Sequence, residues 1–185
     1  FLHFDGIYSA AFVWVNGQFV GYTEGSNNDA EFDVTDKVRT GENNVSVQVI
    51  RWSDGSYLEG QDMWHMSGIH RDVYLYAMPR IHVRDHYITA NLNASSKYTA
   101  GSMNIQMKID NRKGEESQKR IDVLVYTPAG DLLTKKTVEV DFAAGDTLME
   151  KSVTFDNLSD LQLWSAETPN LYNIHFVQYD ESGNE

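Results

Sequence analysis

The sequence contains no cysteine, only three prolines and no apolar run that approaches the ~20 residues needed to span a membrane. The absence of cysteine excludes disulfide frameworks, cysteine-ligated zinc and thiol nucleophiles. Basic residues are also few, since 15 Lys and Arg against 27 Asp and Glu give a formal charge of −12. This acidity argues against nucleic acids and anionic membrane surfaces as partners, because both attract basic patches.

The sequence is rich in the signals of β-strands. Aromatic residues make up 12% of the 185 residues, and Val, Ile, Thr and Tyr recur in short alternating runs bounded by Gly, Asn and Asp. The clearest hairpin joins residues 11–15 to residues 18–22 through Asn16-Gly17, a pair that tolerates the positive φ of a tight primed turn. Residues 44–52 and 72–76 predict two further strands. Because no stretch shows a helical apolar period of helical length, the sequence predicts an all-β protein.

The composition changes near Met78-Pro79-Arg80, where proline is expected to end a strand ladder. After this point, the sequence predicts strands near residues 81–92, 101–110, 121–126, 132–140, 148–155 and 171–179. About six or seven short strands in ~105 residues are typical of an immunoglobulin-like β-sandwich. We therefore predict a first domain over residues 1–78 and an immunoglobulin-like domain over residues 79–185.

The first domain has too few predicted strands for a full sandwich. The chain also begins directly in a predicted strand at residues 1–4, and residues 180–185 have the composition of a hairpin turn without its return strand. These features predict a fragment of a longer protein. The alternative is a stand-alone carbohydrate-binding or adhesion-type β-sandwich, which would be expected to own all its strands and cap its edges.

Three segments carry motifs that go beyond generic β patterning. They are residues 49–73, with Arg-Trp-Ser-Asp-Gly-Ser-Tyr-Leu-Glu followed by Trp-x-x-Ser-Gly-Ile-x-Arg-x-Val; residues 4–22, with Phe-Asp-Gly, Val-Asn-Gly and Val-Gly-Tyr; and residues 163–172, Leu-Trp-Ser-Ala-Glu-Thr-Pro-Asn-Leu-Tyr. Together they resemble the non-catalytic domains of family 2 glycoside hydrolases. The longer first motif resembles the bacterial β-galactosidase branch of that family.

The resemblance implies a parent enzyme with a sugar-binding jelly-roll domain, an immunoglobulin-like domain and a catalytic (β/α)8 barrel. This chain would hold the C-terminal part of the galactose-binding-like jelly roll and most of the second domain. It would support the active site and the domain assembly of a retaining enzyme that hydrolyses terminal β-D-galactosides. A related family 2 glycosidase, such as a β-glucuronidase, is the alternative parent, since accessory domains are shared across these activities.

The catalytic carboxylates of a retaining glycosidase lie ~5–5.5 Å apart, and in this family both belong to the missing barrel. The Asn184-Glu185 dipeptide matches the family's acid/base motif but lacks the barrel context. We therefore assign no catalytic residue to this chain, and we expect it to be inactive by itself.

Asp29, Glu31 and Asp33 alternate along one segment, so an extended strand would place all three carboxylates on one side. Such a row could bind a cation, act as acid and base, or simply face water, which is the commonest outcome. The resemblance singles out Asp33, because the Asp of the Glu-Phe-Asp motif in β-galactosidases ligates a sodium ion and contacts galactose near its 6-hydroxyl. Asp33 is therefore our candidate for substrate binding and for metal binding.

The implied ion is sodium, with magnesium as a second candidate, and hard oxygen ligands suit either ion. Both would be bound in the parent enzyme, and no cofactor is expected in the isolated chain. The compartment stays open between cytoplasm and periplasm.

Four aromatic residues offer either a stacking platform for sugars or core and interdomain packing: Trp52, Tyr57, Trp64 and Tyr76. Packing is favoured for the two tryptophans, because burying them removes large apolar areas from water. Residues 59–66 are a candidate docking surface for the barrel or for another subunit of a homo-oligomer.

Two further predictions concern charged and titratable side chains. Arg71 is expected to be buried and to pair with Asp54 or Asp62. His82 and His86 are four residues apart, a spacing that brings ligands together on a helix but not on a strand, so no metal pair is predicted.

Overall fold

The structure, a computed structural model, describes residues 1–179 and residue 183. The chain forms two compact units, Phe1–Ala77 and Met78–Glu185. The turn predicted over residues 180–185 lies outside the described residues except for Gly183, and so does the Asn184-Glu185 dipeptide. Among the described residues, no helix has both the length and the apolar character that a membrane crossing needs.

The first unit consists of short antiparallel strands and one four-residue helix. In chain order they are β1 (Leu2–Phe4), β2 (Ile7–Tyr8), β3 (Ala10–Val15), β4 (Gln18–Glu24), β5 (Ala30–Phe32), β6 (Val45–Ile50), α1 (Ser56–Glu59), β7 (Gly68–Ile69) and β8 (Val73–Leu75). The strands form three sheets, ordered β4-β3-β6, β5-β1-β8 and β2-β7. The all-β prediction is confirmed, and helix α1 is a single turn in a loop where the sequence predicted no helix.

The Asn16-Gly17 hairpin is confirmed. Strand β3 pairs with β4 so that Val15 lies opposite Gln18, and φ is 52° at Asn16 and 76° at Gly17. These two positive φ values are those of the primed turn that follows the right-handed twist of the strands. The turn sets the register of β3, and the register decides which of its side chains enter the core.

The core of the first unit is built on one face of β3. Val13 and Val15 are fully buried there, whereas Phe12 and Trp14 alternate with them on the other face and are only half-buried. Burying a side chain of this size contributes about 1.5–3 kcal/mol. The remaining buried residues of this cluster come mainly from β1, β2, β3 and the end of β5; they are Leu2, Phe4, Ile7, Ala11, Phe32 and Val34.

The second unit is an antiparallel sandwich of two three-stranded sheets, ordered β13-β10-β9 and β12-β11-β14. Its strands are β9 (Ile81–Leu92), β10 (Gly101–Asn111), β11 (Ser117–Tyr126), β12 (Leu132–Phe142), β13 (Leu148–Leu158) and β14 (Asn173–Tyr179). A short 3-10 turn over Ala94–Ser96 connects β9 to β10. All six strands predicted for this half are present, and β11 begins four residues earlier than the sequence indicated.

The sandwich core follows from strict alternation along its central strands. Every second residue of β10 from Gly101 to Asn111 is buried, and Ile121, Val123 and Val125 of β11 face them from the other sheet. This arrangement of two facing inner surfaces is that of an immunoglobulin-like sandwich.

Tyr172 adds a second feature of that fold. It lies just before β14, and its hydroxyl oxygen accepts a hydrogen bond from the backbone N–H of Gln162 at 2.8 Å. A tyrosine that bonds backwards to the chain at the start of this strand is a hallmark of immunoglobulin-like sandwiches. The bond fixes the entry of the loop that connects β13 to β14.

Asp122 is buried although it lies on the side of β11 opposite the core residues. Lys135 donates to its Oδ2 at 2.7 Å, and the hydroxyl of Thr137 donates to its Oδ1 at 2.7 Å. Burial raises the pKa of Asp122, but the hydrogen bonds from Lys135 and Thr137 outweigh burial and hold that pKa below its ordinary value. Asp122 therefore ties β11 to β12, and no motif in the sequence indicated it.

Candidate functional site

Asp33 lies at the surface directly after β5, between two buried side chains. Phe32 and Val34 are both in the core, whereas Asp33 is exposed. Its Oδ1 accepts a hydrogen bond from the backbone N–H of Thr35 at 2.9 Å and another from the Thr35 hydroxyl at 2.7 Å. The two anchored neighbours and the two bonds to Thr35 fix the place of the carboxylate on the surface.

Asp33 also caps a turn. The N–H groups of Lys37 and Val38 donate to the carbonyl oxygen of Val34 at 2.9 Å and 3.1 Å. An aspartate that accepts the N–H two residues later is the usual cap at the start of such a turn. A structural role therefore accounts for the position of Asp33, and any ligand role is added to it.

The three alternating carboxylates do not lie along one strand, because β5 covers only Ala30–Phe32. Asp29 and Asp33 flank this strand, so only Glu31 lies within it. Glu31 lies directly opposite His3, with 3.5 Å between its Oε2 and Nδ1 of His3. Oδ2 of Asp29 lies 3.8 Å from Nε2 of the same histidine.

Asp5 and Tyr76 add to the contacts around His3 and Glu31. Oδ1 of Asp5 lies 3.1 Å from Nε2 of His3, and the hydroxyl of Tyr76 donates to Glu31. The His3 ring stacks on Tyr74 with 4.7 Å between ring centroids. Desolvation raises the pKa of Tyr74, and the charges of Asp5 and its acidic neighbours raise it further.

These contacts bear on the predicted ion. Among the described residues, no three His, Cys, Asp or Glu side chains come together as a metal site. Asp33 supplies one carboxylate of the hard type that sodium or magnesium prefers, but one carboxylate is too few for either ion.

The aromatic loop after β6 is exposed rather than packed. The exposed fractions are 58% for Trp52, 92% for Tyr57, 86% for Leu58 and 91% for Trp64. Trp52 and Trp64 therefore do not pack in the core of this chain, and their predicted packing against another domain stays a prediction. Trp52 is held by its neighbours, because the Arg51 guanidinium lies 5.3 Å from its ring centroid and the His65 ring lies 5.5 Å away.

Tyr76 does not join these residues. Its ring stacks on Phe1 with 5.3 Å between centroids, and its hydroxyl bonds to Glu31. The four aromatic residues therefore belong to two different sets of contacts. The exposed apolar side chains of this loop are Trp52, Tyr57, Leu58, Met63, Trp64 and Met66, and we call them the aromatic loop surface. Docking through residues 59–66 stays a prediction.

Glu24 anchors the aromatic loop to β4. Its Oε1 accepts the backbone N–H of Gly55 at 2.8 Å, and its Oε2 accepts the hydroxyl of Tyr22 at 2.8 Å. The hydrogen bond from Gly55, followed by that from Tyr22, lowers the pKa of Glu24 to about 2. The same carboxylate raises the pKa of Tyr22 to about 12, chiefly through the hydrogen bond between them. No motif in the sequence indicated this pair, although Tyr22 and Glu24 are two apart on one strand and must share a face.

A second carboxylate fixes the far end of the same loop. Glu59 accepts hydrogen bonds from both the backbone N–H and the hydroxyl of Ser26, which is fully buried. Ser26 lies between β4 and β5, seven residues before Asp33. The loop that presents the exposed aromatic residues is therefore tied to the segment that leads to Asp33.

Two remaining predictions have mixed outcomes. Arg71 is exposed, and its Nη1 donates to the carbonyl oxygens of Asp5 and Asn27 at 3.2 Å and 3.1 Å, so its predicted pairing with Asp54 or Asp62 is wrong. His82 is buried beside the carbonyl oxygen of Pro79, whereas the His86 ring lies 5.3 Å from Phe176. The two histidines therefore have different environments.

Both halves of the chain match models of one protein family. Residues 1–79 match the sugar binding domain of glycosyl hydrolases family 2, and residues 81–185 match a second model of glycosyl hydrolases family 2.

The curated relatives are bacterial β-galactosidases. The enzyme of Priestia megaterium is 37% identical over 176 residues, which are 94% of this chain and 16% of that protein. The enzyme of Pectobacterium atrosepticum is 40% identical over 176 residues, which are 91% of this chain and 16% of that protein. The chain thus spans about a sixth of the length of these relatives.

Solved structures show the same fold at low sequence identity. A β-glucuronidase of Bacteroides uniformis has a TM-score of 0.89 and 22% identity, with 99% of this chain and 22% of that chain covered. A putative β-galactosidase of Bacteroides fragilis has a TM-score of 0.84 and 18% identity, with 97% of this chain and 28% of that chain covered. With a match to the family model over the whole second domain and to its sugar-binding model over the first, the chain belongs to family 2 of the glycosyl hydrolases.

Proposed function

We propose that this chain is the non-catalytic accessory region of a retaining β-galactosidase that hydrolyses terminal β-D-galactosides. The observation that carries the proposal is the 36–40% identity to β-galactosidases, which extends over at least 91% of the chain. The likeness to β-glucuronidase structures, at 22% identity, supports the fold without favouring that activity. A stand-alone carbohydrate-binding or adhesion-type module is not favoured.

Asp33 is the residue that we propose to reach the substrate. The surrounding structure supports this, because the carboxylate is exposed, anchored by buried neighbours on both sides and oriented by Thr35. In the complete enzyme, Asp33 would supply one oxygen ligand to a sodium ion and would orient the galactoside near its 6-hydroxyl. Its part in catalysis is positioning, since the two carboxylates of a retaining mechanism must lie ~5–5.5 Å apart around the scissile bond.

The aromatic loop surface gives the accessory role a physical basis. Large apolar side chains that are exposed together are typical of a surface that another domain or subunit covers. Glu24 and Glu59 hold this loop in one conformation, so the surface is ordered before it is covered. We propose that it packs against the catalytic domain of the complete enzyme.

The proposal is tested by assaying two proteins side by side. The complete polypeptide that contains this chain should hydrolyse a nitrophenyl β-D-galactoside with retention of configuration, and much faster than the matching β-glucuronide. The 185-residue chain should show no turnover of either substrate. Turnover by the 185-residue chain, or a preference of the complete polypeptide for the glucuronide, would show that the proposed function is wrong.

A further inference from the structure

The Asn16 side chain connects the β3–β4 hairpin to the segment that follows Asp33. Its Nδ2 donates to the carbonyl oxygen of Lys37 and to Oδ1 of Asn43, both at 2.8 Å. Its Oδ1 accepts the backbone N–H of Asn44 at 3.0 Å, and the backbone N–H of Asn16 donates to the carbonyl oxygen of Asn44 at 2.8 Å. The carboxamide therefore needs both its donor and its acceptor, and these bonds fix its orientation.

Lys37 belongs to the turn that Asp33 caps. The N–H of Lys37 donates to the carbonyl oxygen of Val34 within that turn, while the carbonyl oxygen of Lys37 accepts from Nδ2 of Asn16. Asp33 thus fixes the start of the turn through Thr35, and Asn16 holds its end. The conformation of the turn therefore depends on a hydrogen-bond donor at residue 16.

Asn16 and Gly17 are the only Asn-Gly pair in the sequence. Gly17 has no side chain that would hinder the approach of its own backbone nitrogen to Cγ of Asn16. Apart from its chain neighbours, no described atom lies within 4 Å of the place where a Cβ of Gly17 would stand. The local structure therefore leaves room for a ring to form between the two residues.

The reaction available to this pair is deamidation. The backbone nitrogen of Gly17 loses its proton and forms a bond to Cγ of Asn16, the bond between Cγ and Nδ2 breaks, and ammonia leaves. Water then opens the cyclic imide at either of its carbonyl groups, which yields aspartate or isoaspartate. Water is the only co-reactant, and neither residue is oxidised or reduced.

We propose that Asn16 is a site of spontaneous deamidation and that the loss of its amide releases the turn that Asp33 caps. The product carries a carboxylate, so the carbonyl oxygen of Lys37 and Oδ1 of Asn43 face an oxygen where they had a donor. Acceptors that lose their donor in this way destabilise the folded state. Isoaspartate also lengthens the backbone inside the turn that sets the register of β3.

The same hydrogen bonds restrain the reaction in the folded chain. Because they hold the carboxamide in one orientation, attack by the Gly17 nitrogen requires local opening at this end of the hairpin. Neither the chemistry nor the release of the turn depends on a substrate or on a ligand of Asp33. The proposal can therefore fail while the proposed function stands, and the reverse is also true.

The first test requires no substitution. The 185-residue chain and the complete polypeptide are incubated at neutral pH, both folded and in urea, and the mass of each asparagine peptide is followed with time. Asn104 is the internal control, because its Nδ2 also donates twice, to Ser152 and Thr154 at 2.9 Å and 2.8 Å. The residue after Asn104 is Ile105, whose side chain hinders the attack.

We expect Asn16 to react at least about tenfold faster than Asn104 in urea, because only Asn16 precedes a glycine. Folding should slow the reaction of Asn16 by about 10- to 1000-fold, the range expected when opening of a turn precedes it. The folded chain should still convert Asn16 faster than Asn104.

The second test measures the turn after the amide is lost. Asn16→Asp introduces the carboxylate directly, and the deamidated fraction of the unsubstituted chain, separated by ion exchange, is a second sample that requires no refolding. Hydrogen exchange of the peptide that spans residues 34–40 reports the turn. Gln18→Ala is the matched control, since Gln18 lies in the same hairpin and accepts from Nζ of Lys37 at 3.2 Å.

Exchange in this peptide should be at least about tenfold faster in Asn16→Asp and in the deamidated fraction, and less than about twofold faster in Gln18→Ala. Three results would overturn the proposal. One is conversion of Asn16 in the folded chain that does not exceed that of Asn104, and another is an equal rate for Asn16 in the folded and the urea-unfolded chain. The third is unchanged exchange of the turn in the deamidated fraction.

Discussion

Thr35 donates both its backbone N–H and its hydroxyl to Oδ1 of Asp33, at 2.9 Å and 2.7 Å. These two hydrogen bonds give Asp33 a structural role within the chain that is separate from the ligand role proposed for the complete enzyme. The two roles respond differently to substitution, because an asparagine can cap a turn but carries no charge for a cation. Variants of Asp33 can therefore distinguish them.

The capping role predicts the stability of Asp33 variants. Asp33→Ala should lower the free energy of unfolding by about 0.5–2 kcal/mol, whereas Asp33→Asn should lower it by only a few tenths. Urea unfolding of the 185-residue chain measures both, with Glu42→Ala in the following exposed turn as the control for lost charge. If Asp33→Asn destabilises the chain as much as Asp33→Ala, the carboxylate is needed for its charge rather than as a cap.

The lowered pKa of Glu24 predicts that the stability of the chain depends on pH. Its pKa lies at about 2 in the folded chain, below the ordinary value of 4.5, because Gly55 and Tyr22 donate to the charged form. A lowered pKa stabilises the fold above the ordinary value, and this contribution is lost as the pH falls through the folded value. The stability difference between the unsubstituted chain and Glu24→Gln should therefore be largest above pH ~5 and should shrink toward pH ~2.

Denaturant unfolding at a series of pH values measures this difference. Asp62→Asn is the control within the same loop, since Asp62 is not among the groups that lower the pKa of Glu24. A difference between Glu24→Gln and the unsubstituted chain that stays constant from pH 7 to about pH 2 would contradict the assignment.

The Asp122–Lys135 pair predicts that removing Lys135 alone destabilises the second unit more than removing both charges. Lys135→Met leaves a buried carboxylate with fewer donors and should cost about 1–3 kcal/mol, the lower part of the range being favoured because Lys135 is partly exposed. Adding Asp122→Asn to Lys135→Met should restore part of the loss, because no buried charge then remains. Lys113→Met, in the exposed turn after β10, is the control. Additive losses in the double variant would contradict this account of the pair.

Because the aromatic loop surface is exposed, we predict that the isolated chain binds an apolar dye at this surface. Replacing Leu58 and Trp64 with serine should change the free energy of unfolding by less than about 0.5 kcal/mol, because both are almost fully exposed. The same change should lower the fluorescence of bound anilinonaphthalene sulfonate, since it removes much of the exposed apolar area. Tyr98→Ser, at an exposed site of the second unit, is the control. A large loss of stability would show that these side chains pack within the chain after all.

The strands were predictable because their signals are local. Alternation in residues 101–111 and the Asn16-Gly17 turn specify pairing and register within a few residues, and the structure confirms both. The bonds of Glu24 to Gly55 and of Asp122 to Lys135 were not predictable, because these partners lie 31 and 13 residues away along the chain. Packing of Trp52 and Trp64 in the core of this chain was wrong, since propensity favours burial and only the fold decides what covers a side chain. Their packing against another domain stays a prediction.

Asp33 illustrates the same limit at the candidate site. Its candidacy came from a motif, and the motif did not indicate that Asp29 and Glu31 would lie beside His3 while Asp33 bonds to Thr35. Alternation along the sequence predicts the face on which a side chain lies only inside a strand, and β5 ends at Phe32, before Asp33.

The most direct test of the account is the kinetics of Asp33→Asn in the complete polypeptide, measured on a nitrophenyl β-D-galactoside across a series of sodium concentrations. Because the variant keeps the cap but loses the charge, we predict a fold as stable as the unsubstituted enzyme, kcat/KM lower by about 10- to 1000-fold, and a weakened sodium dependence. Thr35→Ala, which keeps the carboxylate, should show a much smaller kinetic loss. Unchanged kcat/KM and unchanged sodium dependence in Asp33→Asn would contradict the proposal that this chain contributes to a galactoside site.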